Sequence, residues 1–317
     1  MCKLWQKKNP KELTISQIEE VLNDPVFKTI ENIVVTGGEP TLRADIGKIA
    51  SLIVRKCPSL KSISVATNGL DTERAIKALH AFDDACKKTK IKYSFSISLD
   101  GVNEIHGKVR NVPNAFERTT ATIAAFKELQ SSLGFGLQVH GVITRTNLNG
   151  LPALKNWCRR RNTFFNFELA HQWKRFENDS NDFKLTPNEF NLYLTMLWNR
   201  VHDPSGSYFD WMTYRMFRQG QRRTISCPFV ENGFGIQPNG DVFYCPDSDP
   251  IGNLYKEKIS NILNDEKSLR NREWAKKNLC ASCTQSCWWN ASLNSNPLQT
   301  FQYTLLKALM LRTRGER

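Results

Sequence analysis

The sequence of 317 residues contains no apolar run of the length that a membrane-spanning helix needs. Its first residues also lack the charged segment, apolar stretch and small-residue cleavage site of a secretory signal. We see no internal repeat and no low-complexity tract. These absences exclude a helical membrane protein and a solenoid, and they predict a cytoplasmic protein without a membrane partner.

Acidic residues are scarce relative to basic ones. Lys and Arg number 44 against 31 Asp and Glu, so the formal net charge is +13. A basic surface attracts nucleic acid, nucleotides, phosphorylated substrates or acidic peptides. The excess is spread along the chain, however, and the short clusters at 159–161 and 222–223 are typical of solvated helix faces. Charge alone therefore leaves the partner open.

The N-terminal part of the chain alternates strand and helix patterns. Five short segments rich in Val, Ile or Phe end in glycine or polar residues, which is typical of buried strands. They are ENIVVTGGEP, LKSISVATNG, KYSFSISLDG, GLQVHGVITRTN and NTFFNFELAH. Amphipathic segments separate them, beginning with ISQIEEVLND, where Ser16 and Glu19 form a predicted capping box. Such alternation predicts a parallel α/β sheet with helices packed outside it.

The strand ends are where this fold class places ligands. They read GGEP at 37–40, TNG at 67–69, SLDG at 98–101 and TRTN at 144–147. In the first, two glycines let the backbone approach a ligand closely, Glu39 adds a charge and Pro40 fixes the turn. Taken alone, GGEP is equally compatible with an ordinary strand-to-helix turn.

Composition changes near residue 220, which predicts one domain at 1–219 and a second at 220–317 that ends in an amphipathic helix. Five of the nine cysteines fall between 227 and 287. The others include Cys57, Cys86 and Cys158, which sit in helical patterns and are predicted to be small buried apolar side chains.

The clustered cysteines have metal-ligand spacing. Cys227 and Cys245 flank a predicted β-hairpin with an Asn-Gly turn at 239–240. The segment CASCTQSC then supplies Cys280, Cys283 and Cys287. Four thiolates suit a zinc ion and an iron–sulfur cluster alike, and the spacing leaves both open.

The motifs together resemble those of radical S-adenosylmethionine (SAM) enzymes with a C-terminal SPASM or twitch domain. VVTGGEPTL, VATNGL, SISLDG followed by HGKVRNVPNAFERTTATI, and the cysteine hairpin with IGNLYKE occur in that order over roughly residues 1 to 290. The resemblance implies a partial TIM-type (β/α)6 radical SAM barrel lacking its first strand. A small cysteine-rich SPASM/twitch domain with a β-hairpin is expected to follow.

The resemblance also implies a chemistry. In this family a [4Fe–4S] cluster held by a C-x-x-x-C-x-x-C motif binds SAM and cleaves it reductively to a 5′-deoxyadenosyl radical. That radical abstracts a hydrogen atom from the substrate, here a peptide, a protein or a small metabolite, as an oxidoreductase or maturase does. An electron donor such as flavodoxin or ferredoxin is implied as a partner, and an auxiliary [4Fe–4S] cluster as a second cofactor.

The resemblance also assigns these roles to particular residues, according to their positions in the motifs. The resemblance implies SAM contacts from Gly37, Gly38, Glu39, Pro40, Thr67, Asn68, Ser98, Asp100 and Arg110. It implies that Cys227, Cys245, Cys280 and Cys283 hold one auxiliary cluster, with Cys287 able to replace one of them and Trp288 and Trp289 packed nearby.

Cys2 fits the last position of the SAM-cluster motif, but its two earlier cysteines have no counterpart in the sequence. We therefore expect the ligands of this cluster to be incomplete here. The corresponding expectation is that this chain does not cleave SAM, whereas a longer parental chain with the whole motif does.

A zinc-stabilised, basic nucleic-acid-binding module on an α/β scaffold is the alternative. It explains the charge and four of the cysteines, but it does not explain GGEP, TNG and SLDG at three successive strand ends. We accordingly do not expect nucleic acid as a partner. A truncated remnant with only a structural cluster is a further alternative.

Overall fold

The computed structural model describes residues 12–172, 178, 184–203, 206–286 and 297–315. Cys2, Cys287, Trp288 and Trp289 lie outside the described residues. The described residues fall into two compact units. The first lies within Met1–Lys184, Gln237–Asp241 and Asn253–Ile262, and the second within Leu185–Ile236, Val242–Gly252 and Leu263–Arg317.

A parallel sheet of five strands forms the centre of the first unit. The strands are β1 (Asn32–Val35), β2 (Ser62–Thr67), β3 (Lys92–Ser98), β4 (Gly136–Ile143) and β5 (Phe164–Leu169). They lie side by side in the order of the chain, and every neighbouring pair is parallel. All five predicted strands are therefore confirmed, and so is the α/β class.

Helices connect the strands. Those of the first unit are α1 (Ile15–Leu22), α2 (Ile46–Lys56), α3 (Thr72–Cys86), α4 (Glu104–Arg110), α5 (Ala115–Leu133), α6 (Leu151–Arg160) and, further along the chain, α10 (Ile259–Asn264). Their buried apolar residues pack on one face of the sheet, where Phe95 meets the rings of Phe126 and Phe135 edge to face at centroid distances of 5.2 and 6.1 Å.

The predicted capping box of α1 is wrong by two residues. The N-cap is Thr14, whose side chain accepts from the Gln17 N–H while the Gln17 side chain accepts from the Thr14 N–H. Both TISQ and SQIE fit the same sequence pattern. Leu13 decides between them, because it is buried and its N–H donates to Pro238 O, which fixes where the chain enters the helix.

The two faces of the sheet differ in chemistry. Along β2 and β3 the residues Ile63, Val65, Phe95 and Ile97 alternate with serines and are fully buried. The alternate residues of the sheet are mostly small or polar, with Val34, Val142 and Phe164 as apolar residues on the same face. The small or polar residues are partly buried, and they are Ser62, Ser64, Ser94, Ser96, Ser98, Gln138, His140, Asn166 and Glu168. We call this set the polar face.

The second unit is mainly helical. Its helices are α7 (Pro187–Val201), α8 (Tyr208–Gln219), α9 (Pro228–Asn232), α11 (Glu266–Asn278) and α12 (Pro297–Gly315). Helix α7 begins with a capping box, with Thr186 at the N-cap, Pro187 in the first turn and Glu189 accepting from the Thr186 N–H. Tyr208, Phe209, Met212, Met216, Ile225 and Tyr303 form its buried cluster.

The predicted β-hairpin is present, but its turn is not a two-residue Asn-Gly turn. Strands β6 (Gly235–Ile236) and β7 (Asp241–Phe243) are antiparallel, and β8 (Gly252–Asn253) lies beside β7. Gln237 pairs with Asp241 and Gly240 adopts φ 82°, which leaves a loop of three residues. The left-handed residue that such a loop needs in its last position explains the glycine.

Cys57, Cys86 and Cys158 are buried as predicted. Burial raises the pKa of each thiol, to about 11 for Cys57 and Cys86 and to about 12 for Cys158. These thiols are therefore neutral packing groups. Among the described helices, none combines the length and the apolar character that a membrane crossing requires.

Candidate functional site

The end of β1 exposes bare backbone. Gly38 is exposed, Gly37 has φ 150°, and a Cβ atom added to either glycine would meet nothing within 4 Å. Open space above two consecutive glycines lets a ligand lie directly against their amides. Pro40 then starts a short 3-10 turn (Pro40–Leu42) that turns the chain away from this position.

The Glu39 carboxylate joins the ends of β1 and β2. Oε1 accepts from the hydroxyls of Thr41 and Thr67, both at 2.8 Å, and Oε2 accepts from the Asn68 N–H at 2.6 Å. Thr67 is buried and its hydroxyl also accepts from the Gly69 N–H. One carboxylate thus holds two predicted SAM-contact segments in fixed register.

Asp100 does the same for the ends of β3 and β4, but from a fully enclosed position. Its Oδ1 accepts from the Val142 N–H at 2.9 Å and its Oδ2 from Arg110 Nε at 2.5 Å. Burial alone would raise the pKa of Asp100, yet the Arg110 charge, the His106 side chain and the Val142 N–H outweigh it and lower the pKa to about 2. The carboxylate is therefore an ionised anchor whose contribution to a ligand is positional.

Arg110 is the part of this pair that reaches solvent. Its side chain keeps 20% of its exposure, and its terminal amino groups make no hydrogen bond with any described residue. Because Asp100 fixes the guanidinium through Nε, the outer edge of the fork stays available for a carboxylate. This geometry supports the predicted role of Arg110.

A buried relay that sequence reasoning missed links the ends of β2 and β3. The Asp100 N–H donates to His106 Nδ1 at 3.1 Å, and His106 Nε2 lies 3.3 Å from Thr119 Oγ1. Thr119 in turn donates to Asn68 O at 3.1 Å. His106 and Thr119 are fully buried, so the relay is a structural support for Asn68.

Asn147 also joins the ends of β3 and β4. Its amide donates to Asp100 O and Val142 O, each at 2.8 Å, and its Oδ1 accepts from the Thr144 N–H at 2.7 Å. Four successive strand ends are therefore tied by side chains that belong to the motifs. Ser98 lies on the polar face in register with His140.

The polar face carries an ion-pair partner for His140 that the sequence did not reveal. His140 Nε2 lies 3.3 Å from Glu168 Oε1, across the β4–β5 pair, and both side chains are partly exposed. His140 Nδ1 makes no hydrogen bond with a described residue. Glu168 orients the ring, as carboxylates do at ligand-binding histidines. His171, shortly after β5, accepts a hydrogen bond from Asn178 through its backbone O.

An open cavity of about 710 Å³ lies at the other end of the sheet. It is lined by the starts of β3 and β4 and by residues around Asp83, Lys87 and Lys92. Asp83 is already hydrogen-bonded to the Tyr93 hydroxyl at 2.7 Å. Because parallel sheets bind ligands beyond their carboxyl ends, this cavity is not the candidate site.

The second unit brings four of the predicted cluster ligands together. A hydrogen bond from Cys280 lowers the pKa of Cys227 to about 6 and raises that of Cys280. Burial raises the pKa of Cys245 to about 11, and the Cys283 and Cys227 thiols push it in the same direction. Electrostatic interactions thus connect the four thiols, although Cys227 and Cys283 are far apart in the chain.

No three metal-ligating side chains in the described segments converge as a single metal ion requires. The donor set is nevertheless all sulfur, from a hairpin pair and a C-x-x-C pair, which is the set that iron–sulfur clusters prefer. An unpartnered guanidinium nitrogen, Arg223 Nη2, is buried beside these thiols and fits an anionic group there. The residues present thus fit an auxiliary cluster.

Comparisons with known proteins agree with both sites. A family model described as the radical SAM superfamily matches residues 1–144, and one described as an iron–sulfur cluster-binding domain, SPASM, matches residues 227–288. A probable GTP 3′,8-cyclase of Methanococcus maripaludis is 26% identical over 153 residues, 47% of this chain and 46% of the relative. A pre-heme d1 synthase of Dinoroseobacter shibae is 27% identical over 150 residues, 47% of this chain and 33% of the relative. The matched stretch thus spans less than half the length of these relatives.

Solved structures show the same fold. Native anSMEcpe with bound AdoMet has a TM-score of 0.62 at 16% identity, over 99% of this chain and 95% of that chain. Its complex with the Cp18Cys peptide has a TM-score of 0.57 at 17% identity, over 96% and 90%. Streptococcus suis SuiB bound to the precursor peptide SuiA has a TM-score of 0.56 at 14% identity, over 83% and 60%. The family models thus assign residues 1–144 to the radical SAM superfamily and residues 227–288 to the SPASM iron–sulfur cluster-binding domain, and the solved structures share that fold.

Proposed function

We propose that the protein is an oxidoreductase or maturase that uses SAM radical chemistry on a peptide, in a reducing cytoplasm. Residues 1–219 are the proposed SAM domain and residues 220–317 the proposed auxiliary-cluster domain. The seven described cysteines are all free thiols, which supports the reducing compartment.

One observation carries the proposal, and it is the polar face. The interior of a closed β/α barrel without a ligand there is filled by Val, Ile and Leu. Here the face opposite the helices presents serines, Gln138, His140 and Glu168 instead, all partly exposed. Such a face suits a space that holds a polar ligand rather than a packed core.

The ends of the strands form the part of that space in which SAM is proposed to bind. Gly37 and Gly38 offer bare backbone, Glu39 and Asn68 form one wall, and Arg110 offers a free guanidinium edge. Bound SAM and its cluster would supply a 5′-deoxyadenosyl radical for hydrogen-atom abstraction. The protein's own task is to hold SAM against the polar face while Asp100 keeps Arg110 in place.

The substrate side is proposed to include His140. Because Glu168 lies at Nε2, Nδ1 is left as the ring atom that faces a ligand. A hydroxyl, thiol or ammonium group of the substrate is a suitable partner for this nitrogen. The proton of that group would pass to Nδ1, and the carboxylate of Glu168 would balance the charge.

A peptide is the favoured substrate class because two of the similar structures, anSMEcpe and SuiB, are peptide complexes. A small metabolite is the second candidate, since the similar curated proteins include a GTP cyclase and a heme synthase. The auxiliary cluster is proposed to bind in the second unit at Cys227, Cys245, Cys280 and Cys283, with Cys287 as a replacement ligand. A flavodoxin or ferredoxin is the proposed electron donor.

Formation of 5′-deoxyadenosine tests the proposal. This chain and a version extended at its N terminus to a complete C-x-x-x-C-x-x-C motif are reconstituted with iron and sulfide and given SAM and dithionite. We expect the nucleoside from the chain that carries the whole motif. An extended chain that binds its clusters and forms no nucleoside would contradict the proposed function.

A further inference from the structure

Two adjacent arginines before the cysteine site have opposite surroundings. Arg222 is exposed, whereas Arg223 is turned inward and anchored at three points. The Arg223 N–H donates to Ala281 O at 2.9 Å, Nε donates to Ile225 O at 3.0 Å, and Nη1 donates to Gln285 O at 3.3 Å. Its guanidinium is thereby held across the segment that contains Cys280 and Cys283.

The remaining guanidinium nitrogen has no partner among the described residues. Arg223 Nη2 is buried and makes no hydrogen bond to nitrogen or oxygen. A buried donor of a charged group that has no acceptor costs free energy. We therefore expect an acceptor to bind next to Arg223 Nη2. Neither of the two carbonyls that hold the guanidinium, at Ile225 and Gln285, accepts from this nitrogen.

The Arg223 guanidinium lies next to the cysteine site. Nη1 donates to Gln285 O, shortly after Cys283, and the backbone N–H donates to Ala281 O, between Cys280 and Cys283. The Cys280 hydrogen bond is the main cause of the lowered pKa of Cys227, and the Arg223 charge adds to it, while at Cys283 the same charge opposes the rise in pKa that burial causes. Arg223 is therefore close to one thiol of each predicted ligand pair.

We propose that Arg223 donates through Nη2 to a sulfur of the auxiliary iron–sulfur cluster and raises the reduction potential of that cluster. A hydrogen bond and a positive charge at a cluster sulfur favour the reduced form, which holds one more electron. The inference rests on the proposed function, because it takes Cys227, Cys245, Cys280 and Cys283 as the ligands. It adds a residue that sets how readily the cluster accepts an electron.

The test is the midpoint potential of the auxiliary cluster, followed by electron paramagnetic resonance during a redox titration. All variants are made in a Cys2→Ala background, so that the motif thiol at position 2 contributes nothing to the signal. Arg223→Gln removes the charge and the donor geometry, Arg223→Lys keeps the charge, and Arg222→Gln is the matched control on the exposed neighbour.

We expect Arg223→Gln to shift the reduction equilibrium about tenfold toward the oxidised cluster, which is about 59 mV to more negative potential for a one-electron couple. Arg223→Lys should shift it less, and Arg222→Gln should leave it unchanged. Equal potentials for Arg223→Gln and Arg222→Gln would overturn the proposal, and so would failure of both Arg223 variants to hold a cluster that the parent holds. A parent chain that binds no cluster would instead contradict the assigned ligands, and with them the proposed function.

Discussion

At the residue scale, the motif side chains form hydrogen bonds mainly with one another. Glu39 accepts from Thr41, Thr67 and Asn68, and Asp100 accepts from Arg110 and Val142. Two carboxylates thus fix the ends of four strands, and the groups proposed to face the ligand are the backbone at Gly37 and Gly38 and the outer edge of Arg110. Rigid positioning of this kind is what a site for a small cofactor needs.

Asp100→Asn should lower the free energy of unfolding by about 2 kcal/mol at pH 7, because the folded-state pKa of about 2 lies below the ordinary 3.8. A depressed carboxyl pKa stabilises the fold above the ordinary value. That contribution is lost as the pH falls from about 4 toward 2.

Urea unfolding at pH 7, 5, 4 and 3 measures the effect. The difference between the parent and Asp100→Asn should shrink at the lowest pH. Asp84→Asn is the control, since Asp84 is exposed and pairs only with Lys87 at the surface. A pH-independent difference for Asp100→Asn would show that its charge is not the cause.

Gly38→Val tests the open backbone after β1. Because a Cβ at Gly38 meets nothing within 4 Å, the fold should tolerate the change within about 0.5 kcal/mol. SAM affinity of the chain extended to the full motif should fall at least about tenfold, or about 1.4 kcal/mol. Equilibrium dialysis with SAM gives the affinity, and Ser51→Val on the exposed side of α2 is the control. Undiminished binding would place SAM elsewhere.

At the element scale, alternation along the strands separates a packing face from a ligand face. Residues such as Val65 and Ile97 are buried under helices, while Ser64 and Ser94 share a hydrogen bond of 2.9 Å on the other face. The same two-residue period therefore encodes both the core and the polar face.

Among the described side chains of helix α12, Tyr303 is the buried one. Tyr303 is buried, packs edge to face on Tyr208 at 5.3 Å, and donates to Gly206 O at 3.3 Å. Tyr303→Ala should cost about 3 kcal/mol of unfolding free energy, whereas Phe301→Ala on the exposed side should cost little. Urea unfolding of both variants is the measurement. Equal effects would mean that Tyr303 does not anchor the helix.

Local patterns were sufficient for the strands and for the helices that alternate with them, because each has its own period and its own stop signal. They were insufficient for α11, whose residues are mostly charged and which shows little apolar periodicity. They also misplaced the cap of α1, since Thr14 and Ser16 satisfy the same rule and a contact of Leu13 with Pro238 decides.

The candidate site was predictable where motifs end strands, and unpredictable where partners meet across the fold. His106 and Thr119 support Asn68 over 38 and 51 positions of sequence, and His140 meets Glu168 through strand register. The sequence predicted that Arg222 and Arg223 form a solvated pair, whereas in the structure Arg223 Nη2 is buried. Such pairings follow from tertiary packing, which the local periodicity of the sequence does not predict.

At the scale of the whole molecule, two sites of different chemistry occupy two compact units. The first presents backbone amides and an arginine, which are the proposed SAM contacts, and the second presents four thiols and an arginine, which are the proposed cluster contacts. The net charge of +13 is compatible with an acidic peptide or an acidic electron-donor protein as partner. Both partners remain proposals that follow from the chemistry of the two sites.

The central claim is that the clustered cysteines hold an iron–sulfur cluster while the isolated ones are packing groups. Iron, acid-labile sulfide and zinc are measured in the reconstituted chain and in single alanine variants of two sets of cysteines. The ligand set is Cys227, Cys245, Cys280 and Cys283, with Cys287 included as the replacement ligand, and the control set is Cys57, Cys86 and Cys158. We predict a brown protein that loses iron and sulfide in the ligand variants and keeps both in the controls. A colourless protein with stoichiometric zinc, or equal iron and sulfide in both sets, would contradict the account.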